Sequence, residues 1–265
     1  TLSSSAGSFM PFKNSLSFGT GRSKYGFSFS GRLSKIISDG YVDRAWSNLG
    51  SIYLHGSWSN EKNILKLIFM GGKERTYQAW NGIPKSMVAT NPTYNPAGEM
   101  YDLDGNLIGF YDNETDNFTQ NYYQIHYAHN FNENLVLSSS IFRTTGKGYY
   151  ENYMNNKALA DYLIPSFHIG DSLIDHANVI QQKWVENTFT GFNLALNYKV
   201  GRFNNNFGHG ESHFVGNHYG LAHLADYDDP IEHQWYQNRG DKTERYIFAK
   251  TNFKASDHIN LFADL

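Results

Sequence analysis

The chain has 265 residues, a formal net charge of −3 and no cysteine. This charge balance supplies no broad basic field for nucleic acid, and the lack of cysteine excludes disulfides, thiol nucleophiles and cysteine zinc sites. Hydrophobic residues make up 40% of the chain, charged residues 18% and aromatic residues 16%. No apolar run reaches the roughly 18–20 residues that a membrane-spanning helix needs. The sequence therefore predicts no membrane-spanning helix within these 265 residues.

Apolar and polar residues alternate with period two along most of the chain, broken by short polar turns. In the stretch 191–200, Phe192, Leu194 and Leu196 share one face, while Asn193 and Asn197 share the other. Such alternation is typical of strands with one apolar face, whereas the spacing of amphipathic helices is rare here. The predicted strands are Leu2–Ser8, Lys13–Gly21, Tyr25–Ile36, Asn48–Ser59, Ile64–Tyr77, Thr119–Phe131, Leu135–Tyr149, Val185–Val200, Asn204–Tyr219, Lys242–Ala255 and Ile259–Leu265.

The connections between these strands alternate between two sizes. Short ones lie near Arg22, Glu61, Asn132, Arg202 and Asp257. Long ones cover about 37–46, 80–117, 153–184 and 220–240. Short turns at one rim and long loops at the other are typical of transmembrane β-barrels. Alternation also describes a soluble antiparallel sheet, so a secreted all-β binding protein is kept as an alternative.

A set of longer motifs follows the same order along the chain. They read "SLSFGTG", "GRLSKIISDGYVDRA", "FMGGKERTYQAWNGIP", "NPTYNPAGEMYDLDGNL", "YDNETDNFTQNYYQIHYAHNFNENL", "GKGYYENY", "NYKV", "GNHYG" and "NLFADL". Together they resemble TonB-dependent outer-membrane receptors, especially those of Bacteroidetes. The resemblance covers nearly the whole chain, and the segment that starts at "SDGYVDRA" is fairly specific.

The resemblance implies an all-β fold, a 22-stranded transmembrane antiparallel β-barrel in the bacterial outer membrane, with a plug domain N-terminal to it. Residues 1–265 are then expected to form about half of that single barrel domain, about eleven strands, with extracellular loops at about 80–117, 153–184 and 220–240. No plug and no TonB box is recognised in this sequence, so we expect a piece of a longer protein. The implied partners are outer-membrane lipid, the remaining strands, the plug and the TonB–ExbB–ExbD complex.

The same resemblance implies capture and energised import of a scarce nutrient. The receptor type favours a metal chelate (a siderophore, haem or cobalamin). The alternative is a glycan or peptide importer of the same fold that works with a surface lipoprotein.

Aromatic residues in or beside the long loops are the candidate ligand-binding residues, because loops on a rigid frame carry function. Their rings can stack on a flat or cyclic ligand. For any single ring, packing within the loops or a place in the outer aromatic girdle is the more common role. The candidates are Tyr77, Trp80, Tyr94, Tyr101, Tyr149, Tyr150, Tyr153 and Trp184.

Sequence patterns of known catalytic sites are not found. No serine lies in a Gly-x-Ser-x-Gly elbow, and there is neither a phosphate loop nor a His-Glu-x-x-His motif. The acidic pair Asp228 and Asp229 lacks the apolar pocket that separates the pKa values of catalytic carboxylates. We therefore expect no enzymatic activity.

Two acidic loop segments are candidates for Ca²⁺. Asp102, Asp104 and Asn106 are spaced two apart, but the place of Gly105 and the lack of a following Glu fit a hairpin turn better. The segment 112–117 offers carboxylates and amides, which are oxygen ligands that calcium accepts. No other cofactor is expected.

His209, Glu211 and His213 lie on one face of the predicted strand 204–219. Three roles are open to them: polar groups of the lumenal wall, metal ligands, or a position at the outer interface. The polar wall is favoured, because zinc needs about four ligands and a flat strand supplies too few. A passive, polar lumenal wall is expected to include Ser28, Arg32, Tyr53, His55, Gln124, His126, Asn193 and Asn197.

Overall fold

The computed structural model describes residues 1–9, 11–227 and 233–265. Within these ranges no helix is long and apolar enough to cross a membrane. The only helical turns described are α1 (Lys85–Val88) and a 3-10 turn (Leu159–Tyr162). The strands are β1 (Leu2–Ala6), β2 (Phe12–Gly19), β3 (Phe27–Ser38), β4 (Ser47–Ser59), β5 (Asn63–Tyr77), β6 (Glu99–Tyr101), β7 (Leu107–Phe110), β8 (Thr115–Asn132), β9 (Leu135–Ala158), β10 (Phe167–Ile169), β11 (Ser172–Ile174), β12 (His176–Val200), β13 (Phe203–Leu224), β14 (His233–Lys254) and β15 (Asn260–Asp264).

One antiparallel sheet contains eleven of the described strands, in the order β1-β2-β3-β4-β5-β8-β9-β12-β13-β14-β15. Each strand pairs with the next long strand of the chain, and all eleven strands predicted from alternation are present. Successive connections therefore fall at opposite rims. One rim carries the short connections 20–26, 60–62, 133–134, 201–202 and 255–259. The other, which we call the outer rim, carries 39–46, 78–114 and 159–175.

Several strands are longer at the outer rim than the alternation predicted. β9 continues to Ala158, β12 begins at His176, and β13 continues to Leu224. Strand pairing therefore covers both ends of the predicted loop 153–184 and part of 220–240. The residues of these extensions are rich in Asn, Gln and Gly. They pair as strands, but their sequence shows no apolar face. Asp228 and Asp229 lie outside the described residues.

The two long connections of the outer rim contain structure of their own. The connection 78–114 holds α1 and the hairpin of β6 and β7, and 159–175 holds the 3-10 turn and the hairpin of β10 and β11. Tyr162 from the 3-10 turn packs edge-on to Trp235, with ring centroids 5.0 Å apart, in a small core with Val179 and Ala222. This core ties the connection 159–175 to β12, β13 and β14.

The pairing register assigns each side chain of the sheet to one of two faces. Ile125, Ile141 and Phe192 are directly opposite one another on β8, β9 and β12, so their side chains share a face. This face carries a continuous band of large apolar residues, which we call the apolar belt. Its members are Phe27, Phe29, Leu33, Leu54, Trp58, Leu65, Leu67, Phe69, Tyr123, Ile125, Tyr127, Leu137, Ile141, Phe192, Leu194, Leu196, Tyr198, Phe203, Phe207 and Ile247.

The belt shifts steadily along the register from one strand to the next. Phe29 on β3, Phe192 on β12 and Glu211 on β13 belong to one register row across the sheet. On β3 the belt extends to Leu33, four residues from this row toward the outer rim. On β13 it ends four residues from Glu211 toward the opposite rim. A level band crosses strands in this way when they are tilted, as barrel strands are by about 35–45°. Ile141 is 57% exposed and Leu67 is 51% exposed, so the belt presents a lipid-compatible surface.

The opposite face is polar. His126, Ser140 and Asn193 are mutual neighbours across β8, β9 and β12, and this face lines recesses of about 350 and 460 Å³ in the wall. We call it the concave face. All eight residues predicted for the lumenal wall lie on it, as their pairing partners show.

Leu67→Arg is expected to destabilise the barrel by about 2–4 kcal/mol, because a cation near the middle of the apolar belt would face hydrocarbon. The measurement is the free energy of unfolding of the full-length protein in lipid vesicles. Ile68→Arg is the matched control, since Ile68 is the next residue and faces the concave side. Equal losses for the two variants would contradict the assignment of faces.

Candidate functional site

Tyr77 and Arg44 anchor the connection 78–114 at the outer rim. Tyr77 ends β5 and is only 4% exposed. Its hydroxyl lies 2.9 Å from the carbonyl oxygen of Tyr111 and 3.1 Å from that of Ala97, and it accepts a hydrogen bond from Arg44 Nε at 3.3 Å. The Arg44 guanidinium lies 3.6 Å from the ring centroid of Phe110, a cation–π contact. Tyr77 therefore holds the loop in place and is not accessible to a ligand.

A second anchor joins the hairpin of β6 and β7 to β9. Asn155 accepts a hydrogen bond from the Tyr101 backbone N–H at 2.8 Å and donates to the Glu99 carbonyl at 2.7 Å. The hydroxyls of Tyr94 and Tyr101 both donate to the Glu99 carboxylate. The hydrogen bond to Glu99 raises the pKa of Tyr94 to about 12. Both phenols therefore remain neutral donors within the loop.

Two buried carboxylates complete the frame of the outer rim. Glu114 is 6% exposed and accepts hydrogen bonds from Asn152 Nδ2 at 2.7 Å and from the Tyr153 N–H at 2.8 Å. Glu151 is 4% exposed and accepts from the Tyr111 hydroxyl and from Gln182 Nε2, each at 2.5 Å. Burial raises the pKa of Glu114 and is the main cause of the raised pKa of Tyr111. These groups are occupied by protein donors.

A recess of about 210 Å³ opens near the outer ends of β8, β9, β12 and β14. The register places Asp116, Tyr150, Lys183 and Tyr236 in one row across these strands, all on the concave face. Lys183 Nζ lies 5.8 Å from the Tyr150 ring centroid. Trp80 is 60% exposed and meets Tyr150 edge-on at 5.5 Å. We call this cavity the rim recess, and its lining also includes Phe118, Tyr149, Trp184, Val185 and His218.

Glycines on the concave face let aromatic rings lie flat against the wall. A methyl group on Gly210 would lie 2.4 Å from the Tyr246 ring, and one on Gly208 would lie 2.2 Å from the Phe248 ring. Only glycine leaves room for this aromatic cover of the strand. The same relation holds for Gly191 with Phe142 and for Gly220 with Tyr236. The concave face is therefore smooth and aromatic as well as polar.

Three rings stack across the opposite, belt-bearing face of the sheet. Tyr149, Trp184 and Tyr219 are register partners on β9, β12 and β13. The centroids of Tyr149 and Trp184 are 4.3 Å apart, and those of Trp184 and Tyr219 are 5.7 Å apart with rings 5° from parallel. We call these three residues the aromatic row.

The eight aromatic candidates predicted from the sequence thus fall into two groups. Tyr149, Tyr150 and Trp184 line the rim recess, Trp80 packs against Tyr150 beside it, and Tyr149 and Trp184 are also part of the aromatic row. The remaining four belong to the loop frame: Tyr77, Tyr94, Tyr101 and Tyr153. A ligand-binding role stays a prediction, and the rim recess is where the structure leaves room for it.

His209, Glu211 and His213 lie on the belt-bearing face, opposite Leu194, Phe192 and Thr190. The favoured position on the lumenal wall is wrong, because the β12–β13 register turns these side chains outward. His209 Nδ1 lies 3.0 Å from the Tyr246 carbonyl oxygen, Glu211 pairs with Arg245 at 3.0 Å, and His213 pairs with Asp241 at 2.7 Å.

The structure does not gather these three residues into a metal site. Each bonds to a different residue of β14, and no group of three or more His, Asp or Glu side chains is arranged to hold a metal within the described residues.

The acidic segment at 102–106 forms a turn. The Asp102 carboxylate accepts hydrogen bonds from the N–H groups of Asp104 at 3.0 Å and Asn106 at 2.8 Å, and Gly105 has a φ of 81°. Hydrogen bonds led by that of Asn106 lower the pKa of Asp102. Calcium in the outer loops stays a prediction.

Sequence reasoning missed Arg44, Lys183, His218 and Tyr236. The last three lie outside or at the edge of the strands predicted from alternation, so their face was not assigned. Extending the period of β12 outward from Asn193 would have placed Lys183 on the concave face. Arg44 carries no local signal, since its partners Tyr77, Asn95 and Ala97 are 33, 51 and 53 residues away in sequence.

Tyr77→Phe is expected to loosen the connection 78–114, because two backbone carbonyls and Arg44 lose a buried partner, at a cost of about 1–3 kcal/mol. Hydrogen exchange over residues 90–114 in the detergent-solubilised protein measures this. Tyr25→Phe, at an exposed turn, is the control. Unchanged exchange in the Tyr77 variant would show that the hydroxyl does not hold the loop.

Gly210→Ala is expected to destabilise the barrel by about 1–3 kcal/mol, because the added methyl group overlaps the Tyr246 ring and the wall must shift. Gly72→Ala is the matched control on the same face, where an added methyl group meets nothing within 4 Å. Unfolding of both variants in vesicles is compared. Equal stability of the two would refute the packing of Tyr246 on Gly210.

Solved structures share this architecture. The ferric-catecholate import receptor Fiu of E. coli K12 superposes with a TM-score of 0.68 at 13% identity, over 98% of this chain and 42% of that one. The copper transporter OprC gives 0.66 at 12% identity, over 99% of this chain and 36% of that one. The ferripyoverdine receptor of the outer membrane of Pseudomonas aeruginosa gives 0.59 at 12% identity, over 99% and 36%.

No protein-family model and no curated protein sequence matches the chain. The chain spans less than half the length of each of these three structures. At such low identity the likeness establishes the fold, and the Bacteroidetes-like subtype stays a prediction. The fold is the one that these structures share, an all-β transmembrane antiparallel β-barrel as predicted.

Proposed function

We propose that the chain forms part of a TonB-dependent transporter of the bacterial outer membrane that captures and imports a metal chelate. The proposal is supported by the fold, because the similar structures are named as receptors or transporters of ferric catecholates, copper and ferripyoverdine. It is also supported by the apolar belt, whose exposed side chains suit hydrocarbon on the outer surface of a barrel.

The rim recess is the observation that carries the choice of ligand. It combines Lys183 and Asp116 with the rings of Tyr150 and Tyr236 and the imidazole of His218, and burial raises the pKa of Asp116, which favours its uncharged form. A lysine ammonium attracts an anionic ligand, and the ring faces pack on flat groups. Its position at the outer ends of the strands suits first capture. An anionic, partly aromatic metal chelate such as a siderophore matches this set of side chains.

The remaining partners follow from the same proposal. The chain is under half the length of the similar structures, so further barrel strands would pair with the edges at β1 and β15. A plug inside the barrel and the TonB–ExbB–ExbD complex would supply regulated opening, and a surface lipoprotein is a further candidate partner. The fold is that of transport receptors, and we propose no enzymatic activity.

The nutrient is tested by growth of a strain that lacks the gene. Ferric siderophores, haem, cobalamin and an oligosaccharide are each supplied as the single limiting source. We expect a growth defect on at least one metal chelate and none on the oligosaccharide. A defect on the oligosaccharide alone would overturn the metal-chelate proposal in favour of glycan import.

Lys183→Gln is expected to weaken binding of the chelate that fails in the growth test by about tenfold, because a charge-assisted contact is removed. Binding of the radiolabelled chelate to intact cells measures the affinity. Arg239→Gln removes one positive charge on the opposite face of the wall and is the control. An unchanged affinity in the Lys183 variant would exclude the rim recess as the capture site.

A further inference from the structure

The Asn81–Gly82 pair lies in the connection 78–114, beside the rim recess, and both residues are exposed. Asn81 is the only asparagine of the chain that is followed by glycine. Glycine has no Cβ, so its backbone nitrogen can approach a neighbouring side chain closely. A methyl group added to Gly82 would lie in open space, with no atom within 4 Å. The fold therefore leaves this peptide bond unshielded.

The backbone around this pair is not held by hydrogen bonds. Residues 79–84 belong to neither strand nor helix, and within the described ranges Asn81 and Gly82 take part in no hydrogen bond. Other asparagines of the same rim are fixed, since the side chains of Asn95 and Asn155 donate to backbone carbonyls at 2.8 and 2.7 Å. Asn81 can therefore adopt the conformations in which its own side chain meets the next peptide nitrogen.

An asparagine in this setting reacts with its own backbone, with water as the only co-reactant. The Gly82 nitrogen attacks the amide carbon of the Asn81 side chain, so a new C–N bond forms and ammonia leaves with the proton that the nitrogen loses. Two reacting groups held on one chain meet far more often than separate molecules do. Water then opens the five-membered imide at either carbonyl, which gives aspartate or isoaspartate. A neutral amide is thereby replaced by a carboxylate, which is ionised at neutral pH.

The new carboxylate arises next to the rim recess. Trp80 immediately precedes Asn81, and its ring meets the recess residue Tyr150 edge-on, with the ring centroids 5.5 Å apart. Exposed charges interact over about 8–10 Å at physiological ionic strength. Lys183 is the cation of the recess, and a negative charge beside it offsets part of its attraction for an anion. Conversion of Asn81 therefore changes the electrostatics of the recess.

We propose that Asn81 is a deamidation site, and that its conversion to aspartate or isoaspartate lowers the affinity of the rim recess for anionic ligands. Isoaspartate in addition inserts one carbon atom into the backbone beside Trp80. Affinity then falls with the age of each protein molecule. The modification depends on this chain alone, whereas its effect on binding rests on the proposed function of the rim recess in capture.

The modification is tested by incubating the full-length protein in detergent at mildly alkaline pH, followed by mass spectrometry of the tryptic peptide 76–85. We expect a gain of about 1 Da and two products, formed more slowly in mild acid because the attacking nitrogen must lose its proton. Gly82→Ala is the matched variant, expected to slow conversion at least about tenfold because its Cβ hinders the attack. Asn91 is exposed and followed by proline, whose nitrogen carries no proton, and is expected to stay unmodified.

The effect on the recess is measured by equilibrium dialysis with naphthalenedisulfonate, a flat dianion that stays fully charged in neutral buffer. Asn81→Asp is expected to bind this dianion about threefold more weakly than Asn81→Gln, its neutral control, the scale of one exposed charge. Both variants are expected to bind the uncharged naphthalenedisulfonamide equally. Wild-type protein that has been aged until peptide 76–85 is converted is expected to approach the affinity of Asn81→Asp.

Two outcomes would overturn the proposal. An unmodified peptide 76–85, or equal rates in the wild type and Gly82→Ala, would exclude Asn81 as the modification site. Equal binding of the dianion by Asn81→Asp and Asn81→Gln would exclude an effect on the recess. Lys183→Gln separates these failures from failure of the proposed function. If that variant binds the dianion as tightly as the wild type, the recess is not the capture site, and the mass measurement at Asn81 is unaffected.

Discussion

Backbone hydrogen bonding between neighbouring strands is the constraint on which the rest of this structure depends. In hydrocarbon no water can satisfy a peptide group, so a wall that crosses a membrane must pair every strand with its neighbours. The long uninterrupted ladder between β12 and β13 meets that requirement. Once pairing is set, the register decides which residues face lipid and which face the interior. The apolar belt, the concave face and the surfaces above the belt all follow from it.

At the outer rim the strands are flanked by loops, so backbone groups there must find other hydrogen-bond partners. Gln78 donates hydrogen bonds to the carbonyls of Thr115 and Glu151, at 3.1 and 3.0 Å, beside the end of β8. The side chains of Asn95 and Asn155 bond other backbone groups of the connection 78–114 in the same manner. Amide side chains therefore continue the pairing beyond the ladder. This accounts for the Asn- and Gln-rich sequence near the rim and for a rigid frame around the rim recess.

Alternation was sufficient to predict the eleven strands and the residues of the lumenal wall, because period two is a local property of the sequence. The face of His209 was not predictable from β13 alone. That strand alternates glycine with polar residues, so neither of its faces appears apolar, and only its pairing with Phe192 and Leu194 on β12 shows which face is outward. The rim recess was missed for a related reason. Lys183 and Tyr236 meet Tyr150 through register between strands distant in sequence.

The alternation of glycine and histidine on β13 has a physical explanation in the two sides of the wall. Gly208, Gly210 and Gly220 face inward, where the rings of Phe248, Tyr246 and Tyr236 occupy the space of a side chain. His209 and His213 face outward, near the upper edge of the apolar belt, where an amphipathic ring suits the change from hydrocarbon to water. Because this strand has glycine on one face and polar side chains on the other, its sequence resembles a metal-binding motif. Its composition is explained by the membrane boundary on one face and by aromatic packing on the other.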